Sequence, residues 1–196
     1  MTRAIGMRAF IIASVLLATL ADGMAHEHFY ETVLSGTNAA IPNASPGTGT
    51  SALLLDLDLI TLRVEAAFTS LAGTVTGATI YGPTAVAGTG SAGAMNPAFT
   101  ASGFPTGVSA GSYDFTFDLT VASGYDPAFI VSSGGTVSNA LNALVASFEN
   151  GQTYLNIRTT AFPGGEVRGS FTETPEPASA GLLAMGCCIA IARRRR

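Results

Sequence analysis

Hydrophobic and polar residues alternate along the central part of the chain with a period of two. Between residues 61 and 69 every second position is apolar, and Thr, Arg or Glu occupy most of the positions between them. Residues 114–121 repeat this pattern. Because successive side chains of a strand point to opposite faces, each segment predicts a β-strand with one buried and one solvated face. Weaker runs predict five further strands, at residues 29–34, 51–59, 75–81, 153–159 and 166–171.

Seven short strands separated by Gly, Pro, Ser and Asn predict an all-β fold, an antiparallel β-sandwich. One segment departs from the period of two, because apolar residues between positions 137 and 148 recur at helical spacing. Thr136 or Ser138 can cap its N-terminus, and Asn150-Gly151 can end it. The sequence therefore predicts one short helix packed against the strands.

Two stretches rich in Gly, Ala, Ser and Thr lie between the predicted strands, at residues 36–50 and 82–111. Their composition predicts long loops. Phe99 and Phe104 are among the few large apolar residues of the second stretch. We expect these two side chains to pin that loop to the body of the domain.

The N-terminus has the pattern of a secretory signal peptide. Arg3 and Arg8 form a basic region, residues 9–20 an apolar one, and Gly23-Met24-Ala25 a small-residue cleavage site. The apolar region is shorter than the roughly 20 residues of a stable membrane span. We therefore predict a cleaved signal peptide at residues 1–25, which makes His26 the first residue of the mature protein.

The C-terminal segment, residues 174–196, joins a short polar motif to an apolar run and a basic end. The apolar run covers residues 180–192 and predicts an anchor helix, and the arginines after it resist transfer across a membrane. The bulk of the chain is thus expected on the far side of that membrane. The residues that carry this prediction are Pro175, Glu176, Pro177, Arg193, Arg194, Arg195 and Arg196.

This tail resembles the PEP-CTERM sorting signal of Gram-negative bacteria that make exopolysaccharides. The resemblance implies recognition by an exosortase, a transient association with the inner membrane, and removal of the tail. It also implies export to the cell envelope, the cell surface or the extracellular matrix. Possible partners there are exopolysaccharide and other surface proteins.

The predicted exported domain, residues 26–173, is acidic. It has eleven Asp and Glu residues, three Arg and no Lys. Nucleic-acid binding depends on clustered basic residues, so this balance argues against a nucleic-acid partner. Both cysteines, Cys187 and Cys188, lie in the C-terminal apolar run, so no disulfide is expected in the domain.

The same inventory argues against an enzyme. The domain has no Cys, no Lys and no His apart from His26 and His28, so Ser-His-Asp, Cys-His and Ser-Lys arrangements cannot be built from its body. Paired carboxylates remain, but no apolar pocket that would raise the pKa of a general acid is evident around them. We expect a protein without catalysis and without a cofactor.

His26-Glu27-His28 has metal-binding chemistry of its own. If cleavage follows Ala25, the free amine, two backbone amides and the His28 imidazole can bind Cu(II) in a square plane, with His26 as a further donor. This makes His26 and His28 candidate metal ligands. The plainer interpretation is that these polar residues only connect the cleavage site to the first strand.

Motifs at both ends of the domain resemble those of the chordin-type (CHRD) domain. Near the start stand Phe-Tyr-Glu-Thr-Val-Leu-Ser-Gly at 29–36 and Gly-Thr-Ser-Ala-Leu-Leu-Leu-Asp at 49–56. Near the end stand Tyr-Leu-Asn-Ile-Arg-Thr at 154–159 and Pro-Gly-Gly-Glu-Val-Arg-Gly at 163–169. The resemblance implies an immunoglobulin-like β-sandwich, with the motif residues in structural roles. These residues are Asn156, Arg158, Gly165, Glu166, Arg168 and Gly169.

The chain departs from the family pattern at three histidines. The family has His-Ile-His before a Gly-Pro turn and a further His in its Asn-x-His-Thr motif, where this chain has Thr79-Ile80-Tyr81 and Arg158. Three imidazoles on neighbouring strands could ligate a transition metal in members that keep them. The resemblance therefore carries no internal metal site over to this chain.

Glu166 and Arg168 stand two positions apart on a predicted strand and so share a face. The expectation is a local ion pair that holds this strand against its neighbour. Together the observations predict an exported, non-catalytic structural or adhesive module of the cell surface or the exopolysaccharide matrix. The alternative is a secreted copper-binding or redox-related protein that uses His26 and His28.

Overall fold

The chain folds into eight β-strands and two α-helices within residues 26–174, which are the residues described by the computed structural model. The predicted signal peptide at 1–25, the anchor helix and the sorting motif from Pro175 to Arg196 lie outside the described residues. No helix within residues 26–174 is long and apolar enough to cross a membrane. The strands are β1 Glu27–Ser35, β2 Thr48–Asp56, β3 Thr61–Thr69, β4 Val75–Tyr81, β5 Gly111–Asp118, β6 Tyr154–Thr159, β7 Val167–Ser170 and β8 Thr172–Glu173, and the helices are α1 Pro127–Ser132 and α2 Val137–Glu149.

The strands form one sheet in the order β4-β6-β7-β1-β2-β3-β5, and β8 pairs with β1. The sheet is curled, so side chains of its two end strands enter one core. Ile80 of β4 and Phe117 of β5 both belong to this core. The all-β, antiparallel prediction is confirmed. The hydrogen-bonded order is continuous from β4 to β5, which makes the fold sandwich-like but built from a single sheet.

The period of two sets which side chains are buried. In β3, Leu62, Val64 and Ala66 are buried, whereas Arg63 and Glu65 are exposed. β3 lies between β2 and β5, and in both pairs the residues stand opposite one another in strict register from 61 to 68. Each buried position therefore extends into a row across three strands, and this gives the core of that half of the sheet.

The second predicted strand ends earlier than expected. Its alternation suggested 51–59, but β2 covers Thr48–Asp56. The side chain of Asp56 accepts hydrogen bonds from the backbone N–H groups of Asp58 (2.9 Å) and Leu59 (2.8 Å), and Ile60 adopts a positive φ of 55°. An Asx turn of this kind reverses the chain toward β3, so Leu57 and Leu59 belong to the turn.

A further helix of six residues, α1, precedes the predicted one. Asp126 caps α1 by accepting a hydrogen bond from the backbone N–H of Ala128 (2.8 Å), and Pro127 occupies its first turn. Six residues are too few to show a helical period, which explains why α1 was missed. The expected helix is confirmed as α2, with Thr136 as its N-cap.

The long connection between β4 and β5 is pinned to the core as predicted. Phe99 is fully buried, and Phe104 is nearly so. The ring of Phe99 packs against those of Phe104, Tyr113 and Phe117, at centroid distances of 6.1, 5.2 and 5.5 Å. A loop that looks polar and flexible in sequence thus supplies one wall of the aromatic core.

Candidate functional site

The solvated face of the curled sheet carries a groove of about 1320 Å³. Its floor comes from residues of β1, β2, β3, β5 and β7, and residues 37–40 and 88–91 of two loops also line it. The side chains on the floor are mostly small, which leaves room above the backbone. Among them are Thr50, Ala52, Ala67, Ser112 and Ser170.

A cluster of charged side chains stands at the β3–β5 part of this groove. Nε and Nη2 of Arg63 donate hydrogen bonds to the two carboxylate oxygens of Asp114, at 2.9 and 2.7 Å, and Nη2 lies 2.5 Å from Oε1 of Glu65. The hydrogen bonds from Arg63 lower the pKa of Asp114. The cluster is exposed, so its contribution to stability is small. It keeps Asp114 ionised, and the guanidinium neutralises part of the charge of the two carboxylates.

A smaller pocket of about 280 Å³ adjoins the groove at β4, β6 and β7. Two register pairs bring its side chains to one face, since Tyr81 stands opposite Tyr154 and Asn156 stands opposite Arg168. Arg158 follows Asn156 two positions later on the same face of β6. The groove and the pocket share Ala40, Ser91 and Arg168 as lining residues. We call this space the arginine pocket; its main lining residues are Tyr81, Tyr154, Asn156, Arg158, Gly164 and Arg168.

Arg168 is almost completely buried, with 4% of its surface exposed. Its guanidinium carbon lies 3.4 Å from the centroid of the Tyr154 ring, a cation–π contact. The Tyr154 ring in turn stacks on Tyr81, with 5.3 Å between centroids and 11° between the ring planes. Burial lowers the pKa of Arg168. A smaller electrostatic effect of Tyr154 acts in the opposite direction and raises it.

The expected ion pair between Glu166 and Arg168 is not formed. Glu166 has no exposed surface, and four uncharged donors surround its carboxylate. Oε1 accepts from Ser45 Oγ (2.5 Å) and from the N–H of Ala72 (2.5 Å), and Oε2 accepts from Thr159 Oγ1 (2.6 Å) and from the N–H of Gly73 (3.1 Å). Because these donors satisfy Glu166 and Tyr154 holds Arg168, the two residues serve separate parts of the structure.

The other CHRD motif residues occupy defined positions. Asn156 donates a hydrogen bond from Nδ2 to the carbonyl oxygen of Gly164 (3.0 Å), which ties β6 to the turn before β7. Gly165 has a φ of 136°, a value that L-residues with side chains rarely adopt. Gly169 lies in β7 opposite Leu155. The motif thus builds the β6–β7 hairpin and one wall of the arginine pocket.

The positions that correspond to the family's histidines have other side chains and other contacts in this chain. Thr79 Oγ1 donates a hydrogen bond to the carbonyl oxygen of Pro97 (3.2 Å), Tyr81 stacks on Tyr154, and Arg158 carries a positive charge. A guanidinium repels cations and donates hydrogen bonds only. Within residues 26–174 no group of three or more His, Cys, Asp or Glu residues is placed to hold a metal ion.

His28 lies at the start of β1, where its Nδ1 is 2.9 Å from Oε1 of Glu173 in β8. Its ring also stacks on Tyr30 at a centroid distance of 6.4 Å. His26 is exposed. The expectation of a copper site at His26 and His28 depends on cleavage after Ala25 and stays a prediction.

Sequence reasoning missed the two features that define this region. It did not pair Tyr81 with Tyr154. A prediction that β4 and β6 are neighbours would have allowed these two aromatic residues to be aligned. It also did not connect Glu166 with Ser45 and the backbone of 72–73, since loop–loop contacts leave no periodic signal.

Comparison with known proteins agrees with this arrangement. The CHRD domain family matches residues 30–171, which include every described strand except the start of β1 and the short β8. No curated protein and no solved structure matches the chain. The matched part covers most of the chain, including the hairpin that carries the Asn156 and Arg168 motifs, and the chain therefore belongs to the CHRD domain family.

Proposed function

We propose that this chain is an exported, non-catalytic module that binds polysaccharide at the cell surface or in the extracellular matrix. The observation that carries the proposal is the groove across the solvated face of the sheet. A groove with small hydroxyl and methyl side chains on its floor suits an extended polymer with many hydroxyl groups. The family resemblance implies an immunoglobulin-like sandwich. In this proposal, the single curled sheet takes the place of that sandwich.

The charges of the groove support binding rather than hydrolysis. A glycosidase needs one carboxyl group with a raised pKa to protonate the leaving group. Asp114, which stands opposite Glu65 in the groove, has a lowered pKa because Arg63 binds its carboxylate. Among the described residues that line the groove and the arginine pocket there is no His, Cys or Lys.

We test polysaccharide binding with a substitution that fills the groove. Ala67 is exposed on the groove floor, so Ala67→Trp should occupy the space and weaken the binding of purified host exopolysaccharide by about tenfold or more. Ala146→Trp, on an exposed position of α2 outside the groove, is the matched control. Co-sedimentation measures both. Equal binding by the two variants, or release of reducing sugar by the wild type, would refute the proposal.

The proposal includes sorting by an exosortase at the Pro175-Glu176-Pro177 motif. It rests on the tail sequence, whose apolar run of about thirteen residues is short for a permanent membrane span. We expect protein from the native host to end near this motif, as measured by intact-mass spectrometry. Mature protein that still carries Arg196 would contradict the sorting step and leave the binding proposal to its own test.

The alternative function, copper binding at His26 and His28, has a separate test. We expect any tight Cu(II) binding by mature protein to disappear when residues 26–28 are deleted, since the amine, the two amides and the His28 imidazole form the whole square plane. Isothermal titration of Cu(II) measures this. Tight binding that survives the deletion would place the copper elsewhere.

A further inference from the structure

Two of the three arginines in residues 26–174 have no carboxylate partner, although this part of the chain has eleven acidic residues. Arg63 is fully engaged by Asp114 and Glu65. Arg158 and Arg168 make no ion pair and no side-chain hydrogen bond with any described residue, and both line the arginine pocket. In so acidic a domain, two unpaired arginines in one small pocket are an unexpected arrangement.

The buried state of these groups makes the arrangement costly. Arg168 is 4% exposed, and its guanidinium lies over the Tyr154 ring. Nε of Arg158 is buried without a hydrogen-bond acceptor. A desolvated guanidinium without an anion loses hydration free energy, and a cation–π contact restores only part of it. An anion in the pocket would supply the missing acceptors.

The surrounding structure holds both arginines in place before any ligand arrives. Stacking on Tyr154 fixes Arg168. Arg158 lies against Gly77 of β4, where a Cβ atom would be 3.2 Å from Nη2 of Arg158, so the glycine leaves space for the guanidinium. The hydroxyl of Tyr154 accepts a hydrogen bond from the backbone N–H of Ala92 (3.2 Å). Preorganised donors bind an anion with a smaller loss of side-chain entropy.

The size and position of the pocket indicate which anion it fits. A volume of about 280 Å³ is enough for one sugar residue and too small for a longer chain. Because Ser91 and Arg168 line both the pocket and the groove, a chain in the groove could place one residue in the pocket. The half-buried ring of Tyr81 offers an apolar surface for the C–H groups of a sugar. A guanidinium binds a carboxylate through two parallel hydrogen bonds.

We propose that Arg158 and Arg168 bind the carboxylate of an acidic sugar residue, one unit of the polysaccharide that occupies the groove. This inference rests on the proposed function and specifies its ligand class as uronate-containing polysaccharide. The groove supplies contacts that neutral sugars share, and the arginine pocket selects the chain that carries a carboxylate.

The test uses the full chain in a nonionic detergent and isothermal titration with oligogalacturonate. The same oligomer with its carboxyl groups methyl-esterified is the neutral comparison, and galacturonate and inorganic phosphate are small-anion comparisons. We expect wild type to bind the acidic oligomer about tenfold or more tightly than the ester. Arg158→Gln and Arg168→Gln should each remove most of that difference. Phosphate should bind more weakly than galacturonate.

Arg196→Gln is the matched control, because it removes one positive charge at a position that is not among the lining residues of the arginine pocket. We expect this variant to bind like the wild type. Thermal unfolding of each variant shows whether it is folded. If Arg168→Gln unfolds, Arg158→Gln carries the test, because Arg158 is the less buried of the two.

The outcomes separate this inference from the proposed function. Equal binding of acidic and esterified oligomers, with loss of both in Ala67→Trp, would overturn carboxylate binding in the arginine pocket. Polysaccharide binding in the groove would still stand. Binding of galacturonate that depends on both arginines, without any binding of polymer, would keep the carboxylate site and overturn the polysaccharide function. Phosphate binding as tight as galacturonate would overturn the assignment to a sugar acid. No binding of any of these probes would overturn the carboxylate site, and co-sedimentation with host exopolysaccharide would then decide the polysaccharide function alone.

Discussion

The variant Glu166→Gln should lower the free energy of unfolding by about 2–4 kcal/mol. Each carboxylate oxygen of Glu166 accepts one hydroxyl hydrogen bond and one backbone N–H hydrogen bond. A glutamine has the same shape, but its NH₂ group must replace one of these oxygens. In either orientation the amide then faces the N–H of Ala72 or of Gly73, so a buried donor loses its acceptor. Urea denaturation measures the change as a lower midpoint with an unchanged slope.

The exposed Glu31 provides the matched control. Its side chain makes no recorded hydrogen bond, so Glu31→Gln should change the free energy of unfolding by less than about 0.5 kcal/mol. If Glu166→Gln lowered the free energy of unfolding as little as Glu31→Gln, the four hydrogen bonds to Glu166 would contribute little to stability, and the prediction would be wrong.

The effect of Glu166→Gln should also depend on pH. Burial raises the pKa of Glu166, but hydrogen bonds from Ser45, Thr159, Ala72 and Gly73 outweigh it and lower the pKa below its ordinary value. A carboxylate with a lowered folded-state pKa stabilises the fold above its unfolded-state pKa of about 4.3, and this stability is lost as the pH falls through the folded-state value. The gap between wild type and variant should therefore be largest near neutral pH and shrink below about pH 4.

The variant Phe99→Ala should cost about 3–5 kcal/mol of unfolding free energy. Phe99 has no exposed surface, and its ring contacts Phe104, Tyr113 and Phe117. Removing the ring leaves a cavity among the three other rings, and it frees the β4–β5 connection from its main contact with the core. Thermal and urea unfolding should both report the loss.

Phe115 serves as the comparison for Phe99, because it is also a phenylalanine of the same aromatic region but is 38% exposed. Phe115→Ala should cost clearly less, since less apolar area returns to water and solvent fills the space. A similar cost for the two variants would mean that the connection is not anchored through Phe99.

The Pro-Gly-Gly-Glu-Val-Arg-Gly motif serves two parts of the molecule. Glu166 joins residues 45, 72–73 and 159 inside the structure, so it fixes loops at one end of the sheet. Arg168, two positions later, lines the arginine pocket. The turn at Gly165 and the start of β7 at Val167 separate these environments. A family motif can therefore hold loops together at one residue and line a pocket at the next but one.

The alternation of apolar and polar residues determined the class of fold and most strand positions. This signal is local, because the two faces of a strand differ in burial along their whole length. It correctly assigned the buried positions of β3 and the helix α2. Caps and turns were less visible. Asp56 ended β2 early through two side-chain hydrogen bonds, and Asp126 began α1 through one. Such local bonds compete with the apolar pattern.

The sequence by itself determined most of the strands and the helix α2. It also determined the motifs of the CHRD family and the identity of the residues that stand where the family has histidines. Only the tertiary structure decided the partners of the charged residues. Glu166 and Arg168 were expected to pair because they are close in sequence, yet four donors from distant segments bind Glu166 and a ring of β6 holds Arg168. The energy of a buried charge depends on which groups surround it in space, and strand order and register set those groups.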